Sequence, residues 1–176
     1  MRIRPRIARL VAALVLVAGG VVGMAVGSAA PAYALSCYDG WLRSSANGKY
    51  VSVEMAYGGV DKYMLRARAN SPGSWERLEF CWGVNGNPAN LAIRSLRNGN
   101  WVSAELGYGG GRYGMLRARA ARIGPWETFN GASFFRSLAN GRYVTAELGY
   151  TGALDAMLRA RATSVGPWER FTNCCP

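Results

Sequence analysis

One fourteen-residue phrase occurs three times in this chain, and the repetition limits what the chain can fold into. LRARANSPGSWERL begins at Leu65, LRARAARIGPWETF at Leu116 and LRARATSVGPWERF at Leu158. An Asn-Gly pair, at Asn47, Asn98 and Asn140, stands 28 residues before the tryptophan of each copy. The spacing within a repeat is therefore constant, and only the junctions differ in length. Self-similarity at this period indicates three copies of one supersecondary unit.

Each copy has the pattern of β-structure. A short segment (WLRSS, AIRSL or FFRSL) runs into Asn-Gly, a strong hairpin signal, and is followed by an alternating strand such as KYVSVEM. A Gly- and Tyr-rich loop, the strand MLRARA, a turn and a segment beginning with Trp-Glu complete the copy. No helical periodicity is sustained outside the N-terminal segment. The pattern predicts four short strands per copy and twelve in all.

Three four-stranded units favour an all-β fold of the β-trefoil type. A propeller typically needs at least four blades to close, whereas a trefoil closes with three units, so that its first and last strands meet. The predicted repeats cover about residues 37–80, 91–130 and 131–174, with a longer junction at 81–90.

The N-terminal segment has the pattern of a secretory signal peptide. Four arginines precede an apolar run that begins at Leu10, and Ala32-Tyr33-Ala34 provides the small-x-small pattern of a cleavage site. We therefore predict a signal peptide at residues 1–34 and a secreted, extracellular domain at residues 35–176, with no membrane span in the mature form. The predicted mature chain holds 17 basic and 10 acidic side chains, a net charge of +7.

Four cysteines suit an exported protein with two disulfides. They are Cys37, Cys81, Cys174 and Cys175. A bridge between the two neighbours at the C-terminus would be strained. We therefore expect Cys37 to pair with one of the C-terminal cysteines and Cys81 with the other, which would tie the chain ends together.

The repeated motifs resemble a known family. The pattern N-G-(K/N/R)-(Y/W)-V-(S/T)-x-E, then L-R-A-R-A and then G-P-W-E-x-F (GSWERL in the first copy), is similar to that of the fascin-like β-trefoil domains, in particular their secreted bacterial form. The Q-x-W mark of ricin-type trefoils is absent, because the chain has no Gln. The resemblance implies a trefoil with a binding role, either towards polysaccharide or, as in the eukaryotic crosslinkers, towards actin.

Residues that recur in all three copies are candidates for the shared core. Val51, Val53 and Leu65 and their equivalents alternate with polar neighbours, as in half-buried strands. Recurrence of a large apolar residue in a threefold fold also favours a core role for three tryptophans, and for Leu78, Phe129 and Phe171 after them, over the alternative role of a ligand platform. The tryptophans are Trp75, Trp126 and Trp168.

Paired arginines recur on the LRARA strand of each copy. The pairs are Arg66/Arg68, Arg117/Arg119 and Arg159/Arg161. Because alternate residues of a strand share a face, both guanidinium groups of a pair are expected to point outward and form a basic ridge. Cross-strand pairing with Glu76, Glu127 and Glu169 would neutralise half of each ridge. The ridges are the candidate site for an anionic ligand, and a solvated, ion-paired strand is the alternative.

The Gly-rich loops are the predicted ligand-binding region. Each loop contains a tyrosine three residues after a glutamate: Tyr57, Tyr108 and Tyr150. Such a ring can stack on the apolar face of a sugar, or it can cap the barrel as packing. The first two loops add a cation followed by an aromatic residue, Lys62 with Tyr63 and Arg112 with Tyr113, so the third loop is expected to bind most weakly.

The sequence offers little chemistry for catalysis. Without His, Ser-His and Cys-His mechanisms are excluded, and the acidic residues outside the repeated positions have no catalytic motif around them. We expect no enzyme activity, no cofactor, no metal site and no nucleic-acid partner, and we expect a monomer. The leading prediction is a carbohydrate-binding protein. The alternatives are an interaction protein that binds actin or an anionic polymer through the arginine ridges, and a secreted enzyme inhibitor or effector that uses the 81–90 junction.

Overall fold

The computed structural model describes residues 34–174. The predicted signal peptide, apart from Ala34, lies outside the described residues, as does Cys175. Within residues 34–174 no helix is long and apolar enough to cross a membrane.

The described chain consists of β-strands joined by short 3-10 turns. The strands are β1 (Ser36–Ser44), β2 (Tyr50–Val53), β3 (Leu65–Ala69), β4 (Leu78–Trp82), β5 (Asn90–Ser95), β6 (Trp101–Glu105), β7 (Met115–Ala120), β8 (Phe129–Asn130), β9 (Arg136–Ser137), β10 (Tyr143–Glu147), β11 (Met157–Ala162) and β12 (Phe171–Cys174). The 3-10 turns are Gly59–Asp61, Val84–Gly86, Gly110–Arg112, Pro125–Glu127, Gly152–Leu154 and Pro167–Glu169.

The twelve strands form a β-trefoil, as the sequence predicts. Strand β1 pairs with β4 and β12, β4 pairs with β5, β5 with β8, and β8 with β9, so these strands build the barrel. The hairpins β2–β3, β6–β7 and β10–β11 form the cap of the trefoil. Strands β3, β7 and β11 contact one another at its centre, where Met64 pairs with Arg117, Met115 with Arg159 and Met157 with Arg66.

The repeated Asn-Gly pairs stabilise the hairpins through side-chain hydrogen bonds. Asn98 accepts a hydrogen bond from the Asn100 amide at 3.0 Å, and its own amide donates to the Ala118 carbonyl at 2.9 Å. Gly99 follows with a φ of 75°, a left-handed conformation that glycine adopts without strain. The other two copies repeat this arrangement. Each asparagine side chain therefore joins the turn before β2, β6 or β10 to the second strand of the cap hairpin, β3, β7 or β11.

The predicted core residues are buried, except for the tryptophans. Val51, Val53, Leu65, Leu78 and Phe129 are fully buried, and their equivalents in the other copies are at most 2% exposed. In contrast, Trp126 is 53% exposed, Trp168 is 46% exposed and Trp75 is half-buried. The core assignment of the tryptophans is wrong because β4, β8 and β12 begin only after the Trp-Glu pair. In the second and third copies that pair lies in a 3-10 turn, so the strand alternation does not apply to it.

The disulfide pairing differs from the prediction. Cys37 and Cys81 are bonded to each other, and each is the direct register partner of the other on β1 and β4. The predicted pairing of each with a C-terminal cysteine is therefore wrong. The expectation that the first and last strands meet is correct, since β12 pairs with β1. The trefoil also brings β4 to β1, however, and this places Cys81 opposite Cys37.

The long junction at 81–90 closes over part of the barrel. Trp82 is half-buried against the main core and Val84 is 2% exposed. Gly83 has a φ of 92°, and a side chain there would meet the Ala34 carbonyl oxygen at 2.9 Å. The sequence allows Trp82, an aromatic residue beside Cys81, either to extend a binding site or to cover the barrel, and these contacts favour covering the barrel.

Candidate functional site

The loop tyrosines come together on the outer side of the cap. Met64, Met115 and Met157, the methionine cluster, are fully buried where the three hairpins meet. The rings that pack on this cluster are those of Tyr57, Tyr108 and Tyr150. All three rings are half-buried, so packing accounts for part of their surface. A binding role for them stays a prediction.

One arginine of each pair holds a tyrosine in place. We call these residues the inner arginines: Arg66, Arg117 and Arg159. The inner arginines are only 6 to 8% exposed. Arg117 donates from Nη1 to the Tyr108 hydroxyl at 2.9 Å, and Arg159 bonds Tyr150 at the same distance. Arg66 likewise donates to the Tyr57 hydroxyl. These guanidinium groups therefore contribute little to an outward basic ridge.

The inner arginines also join the repeats to one another. Nε of Arg117, in the second repeat, donates to the Lys62 carbonyl of the first repeat at 2.8 Å. Nε of Arg159 donates to the Tyr113 carbonyl at 2.8 Å, and Nε of Arg66 donates to the Asp155 carbonyl at 2.6 Å. The three contacts run from the second repeat to the first, from the third to the second and from the first to the third, so they close a ring.

The second arginine of each pair forms a bidentate ion pair. These residues are the outer arginines: Arg68, Arg119 and Arg161. Their partners are the strand glutamates, Glu54, Glu105 and Glu147, which are 1 to 6% exposed. In each pair Nη2 lies 2.8 to 2.9 Å from Oε2. The hydrogen bond to the carboxylate, partly offset by burial, raises the pKa of each outer arginine.

The glutamates of the Trp-Glu pairs do not neutralise the arginine strands. We call them the turn glutamates: Glu76, Glu127 and Glu169. They are buried, at 6 to 8% exposure, and each accepts a hydrogen bond from the backbone amide of the glycine three residues earlier, at 2.8 to 2.9 Å. The predicted cross-strand pairing is therefore wrong, because these carboxylates fold back onto the backbone of their own turns while the outer arginines bind the strand glutamates.

The cation and the aromatic residue that follow the tyrosine in the first two loops do not occupy equivalent positions in the two repeats. Tyr63, Gly114 and Ala156 occupy the same position, since the amide of each donates to the carbonyl of its strand glutamate at 2.9 Å. Lys62 is therefore equivalent to Tyr113, not to Arg112. Tyr63 packs on the main core beneath the Lys62 ammonium, which lies 4.9 Å from the ring centroid. Tyr113 is 38% exposed.

Arg112 has a structural partner in the first repeat. Its Nε and Nη2 lie 2.8 and 2.9 Å from the two carboxylate oxygens of Asp61. The hydrogen bond to Arg112, assisted by its charge, lowers the pKa of Asp61 although partial burial opposes the shift. The same hydrogen bond raises the pKa of Arg112. This pair ties the first two loops together.

A groove in the second repeat combines an exposed aromatic ring with buried charge. Its volume is about 510 Å³, and its walls include Trp126, Glu127, Arg119 and Glu105. The other lining residues are Ser103, Ala104, Leu106, Gly107 and Ala120. Neither Trp126 nor Glu127 is among the predicted ligand-binding residues, because recurrence of the Trp-Glu motif favoured a core interpretation. The position of the Trp-Glu motif just before a strand, and directly after Gly and Pro, is the sequence signal that indicates a turn.

The strand residue that lines the groove is slightly more exposed than its equivalents in the other repeats. Ser103 is 6% exposed, whereas the equivalent Ser52 and Thr145 are each 1% exposed. The hydroxyls of Ser52 and Thr145 are buried without a hydrogen-bond partner among the described residues. Of the three equivalent positions, the one in the second repeat is therefore the most exposed.

Comparisons with known proteins support the fold. No protein-family model matches the sequence, and no curated protein matches it. Among solved structures, the chain is similar to ThreeFoil, a designed threefold-symmetric protein, with a TM-score of 0.61 at 14% identity over 78% of this chain and 99% of ThreeFoil. It is also similar to the BEL β-trefoil, with a TM-score of 0.59 at 12% identity over 78% of this chain and 92% of that one.

An agglutinin is a third structural neighbour. The Rhizoctonia solani agglutinin gives a TM-score of 0.59 at 9% identity, over 82% of this chain and 99% of its own. At these identities the similarity establishes the β-trefoil fold and no particular ligand, because one fold hosts many functions.

Proposed function

We propose that this protein is a secreted, non-catalytic glycan-binding β-trefoil, and that the second-repeat groove is its principal contact with sugar. The observation that carries the proposal is the groove of about 510 Å³ beside Trp126, whose ring is 53% exposed. A large aromatic side chain left in water next to a concave, mainly apolar surface that carries a few polar groups is typical of a binding site.

The groove offers what a sugar requires. The flat face of an indole ring packs against the apolar face of a pyranose, while its N–H stays available as a donor. Around it lie the ion pair of Arg119 and Glu105, the buried carboxylate of Glu127 and the Ser103 side chain. These groups provide both donors and acceptors for sugar hydroxyls. The Glu105 carboxylate is held by two hydrogen bonds, so it needs little reorganisation on binding.

Three further observations agree with the proposal. The repeated motifs resemble those of the fascin-like family, for which polysaccharide is one of two ligand classes. One structural neighbour is named an agglutinin. The N-terminal pattern and the disulfide suit an exported protein that would meet extracellular glycans.

The test is retention of the oxidised protein on a panel of insoluble polysaccharides and on F-actin, at low and at high salt. We expect salt-resistant retention on at least one neutral or amine-bearing polysaccharide, and loss of most of it in Trp126→Ala. Trp168→Ala is the matched control, because Trp168 has the same Gly-Pro-Trp-Glu context and a similar exposure of 46%. Equal retention of both variants and the wild type would remove the groove from the proposal.

The same panel separates the alternatives. Retention on F-actin or acidic polymers that disappears at high salt would indicate an electrostatic interaction protein. An enzyme inhibitor would be retained on neither. Tyr113→Ala tests the predicted loop surface separately, because Tyr113 is its exposed aromatic residue and lies outside the groove lining.

A further inference from the structure

We infer that the second-repeat groove selects a sugar carrying a free, protonated amine. This inference rests on the proposed glycan-binding function and names the ligand class for the same groove. It follows from the charges that line the groove, from the burial of the Glu127 carboxylate and from the breadth of the exposed Trp126 ring.

The ion pair in the groove is internally neutral. Arg119 binds Glu105 through both Nε and Nη2, with the Nη2 contact at 2.8 Å. Glu105 is 6% exposed, so little of its charge reaches solvent directly. A bidentate arginine-carboxylate pair satisfies the geometry of both groups. Neither a cation nor an anion is therefore strongly favoured at this pair.

Glu127 gives the groove a net negative charge, because the one cation among the lining residues, Arg119, is already bound by the Glu105 carboxylate and acts on Glu127 only at longer range. Among residues 34–174 no lysine or arginine lies within salt-bridge distance of it. One of its oxygens, Oε2, accepts the Gly124 amide hydrogen at 2.9 Å. The side chain is 6% exposed and lines the groove. An ion held away from water gains most from a ligand that brings the opposite charge and hydrogen-bond donors.

The positive charge of the whole protein does not cancel this local preference. At physiological ionic strength, surface charges are screened over about 8 Å, whereas a ligand in the groove is in direct reach of the Glu127 carboxylate. Attraction between close charges in a partly buried site exceeds the screened repulsion of distant arginines. The nearby Arg119 is offset by Glu105, to which it is bound. A cationic group is therefore favoured once the ligand is in the groove.

The shape of the groove favours a sugar over a lysine side chain as the source of the amine. Trp126 offers a broad exposed ring, and the groove volume of about 510 Å³ falls within the range for small-molecule sites. A pyranose covers the indole face with its own flat side while a ring amine points to the carboxylate. A single aliphatic chain would leave most of the indole uncovered.

The test uses three oligosaccharide series with one linkage. Oligosaccharides of chitosan, chitin and cellulose differ only in bearing a free amine, an acetamide or a hydroxyl at one ring carbon. Affinities are measured by titration calorimetry at mildly acidic pH, where the amine is protonated. We expect the chitosan oligosaccharide to bind about tenfold more tightly than the cellulose oligosaccharide, as one close charge pair at a partly buried site provides.

Two variants and one change of pH isolate the carboxylate. Glu127→Gln keeps an oxygen for the Gly124 amide but removes the charge, so the variant should bind the chitosan and cellulose oligosaccharides with equal affinity. Glu169→Gln is the control, because Glu169 makes the equivalent turn contact in the third repeat at 2.8 Å. In the wild type the preference should also disappear when alkaline pH deprotonates the amine.

The outcomes distinguish this inference from the proposed function. Equal binding of all three series, or a preference that survives in Glu127→Gln, overturns the amine inference and leaves glycan binding in place. Binding of none of the three, together with no retention on the polysaccharide panel, overturns both. A preference for the chitin series overturns the amine inference, because the acetamide carries no charge.

Discussion

Arg117 donates a hydrogen bond from Nη1 to the hydroxyl of Tyr108 at 2.9 Å, and the tyrosine ring lies over the methionine cluster. The same contact occurs in the other two repeats. Ring and hydroxyl therefore have separable roles, which gives the first prediction.

Removing only the hydroxyl of Tyr108 should cost less stability than removing the ring. Tyr108→Phe loses one hydrogen bond to a charged donor, and we expect the free energy of unfolding to fall by about 1 to 2 kcal/mol. Tyr108→Ala uncovers the methionine cluster as well, and we expect a loss of about 3 kcal/mol. Urea denaturation followed by tryptophan fluorescence measures both. Similar losses for the two variants would show that the ring contributes no packing.

Arg117 should be a major contributor to stability. Arg117→Met keeps much of the side-chain length but removes the bonds to Tyr108 and to the Lys62 carbonyl. Because buried acceptors then lose a charged donor, we expect the free energy of unfolding to fall by about 3 kcal/mol. Arg97→Met is the control, since Arg97 is exposed, and should change stability by under about 0.5 kcal/mol. A small effect of Arg117→Met would show that the repeats do not depend on this contact.

Asp61 should contribute a pH-dependent part of the stability. Its pKa is lowered in the folded state, chiefly by the hydrogen bond to Arg112. The stabilisation is therefore present above the unfolded pKa of about 3.9 and is lost as the pH falls through the lower, folded pKa. The melting temperatures of the wild type and of Asp61→Asn should be measured as a function of pH. The wild type should melt at the higher temperature at neutral pH, and the two melting temperatures should converge in acid. A constant difference across this range would contradict the assignment.

The Cys37–Cys81 disulfide should be found by peptide mapping under non-reducing conditions. A crosslinked fragment containing both residues is expected, and a fragment joining Cys37 to Cys174 or Cys175 would contradict the structure. The bond spans 44 residues, so its removal in the double Cys37→Ser, Cys81→Ser variant should cost about 4 kcal/mol. Denaturation of the oxidised and variant proteins measures this cost.

The fold could be predicted because the repeat carries redundant information. Three Asn-Gly turns in one register mark the hairpins, and the alternation of Val51 and Val53 marks their buried face. Recurrence alone predicts a core position for the tryptophans, because it does not distinguish a strand from a turn. The 3-10 turn at Pro125–Glu127 depends on a carboxylate folding back to the Gly124 amide, a local bond that no periodicity reveals.

The candidate site was harder to predict because its contacts join distant parts of the chain. Alternation correctly puts Arg117 and Arg119 on one face of β7, but their burial depends on what covers that face. Arg117 meets a carbonyl 55 residues away, across the meeting point of three hairpins. Likewise, Ser103 is more exposed than Ser52 and Thr145 although the three segments have nearly the same sequence. The difference therefore comes from how each segment packs.

The ring of contacts made by the inner arginines affects how cooperatively the protein unfolds. Each repeat donates to one neighbour and accepts from the other, and the contact from Arg66 to Asp155 completes the ring between first and third. Unfolding any one repeat would break two of the three contacts and would expose the methionine cluster, to which each repeat contributes one residue. A trefoil tied in this way has no stable partly open form, so its three copies, however separable in sequence, behave as a single cooperative unit.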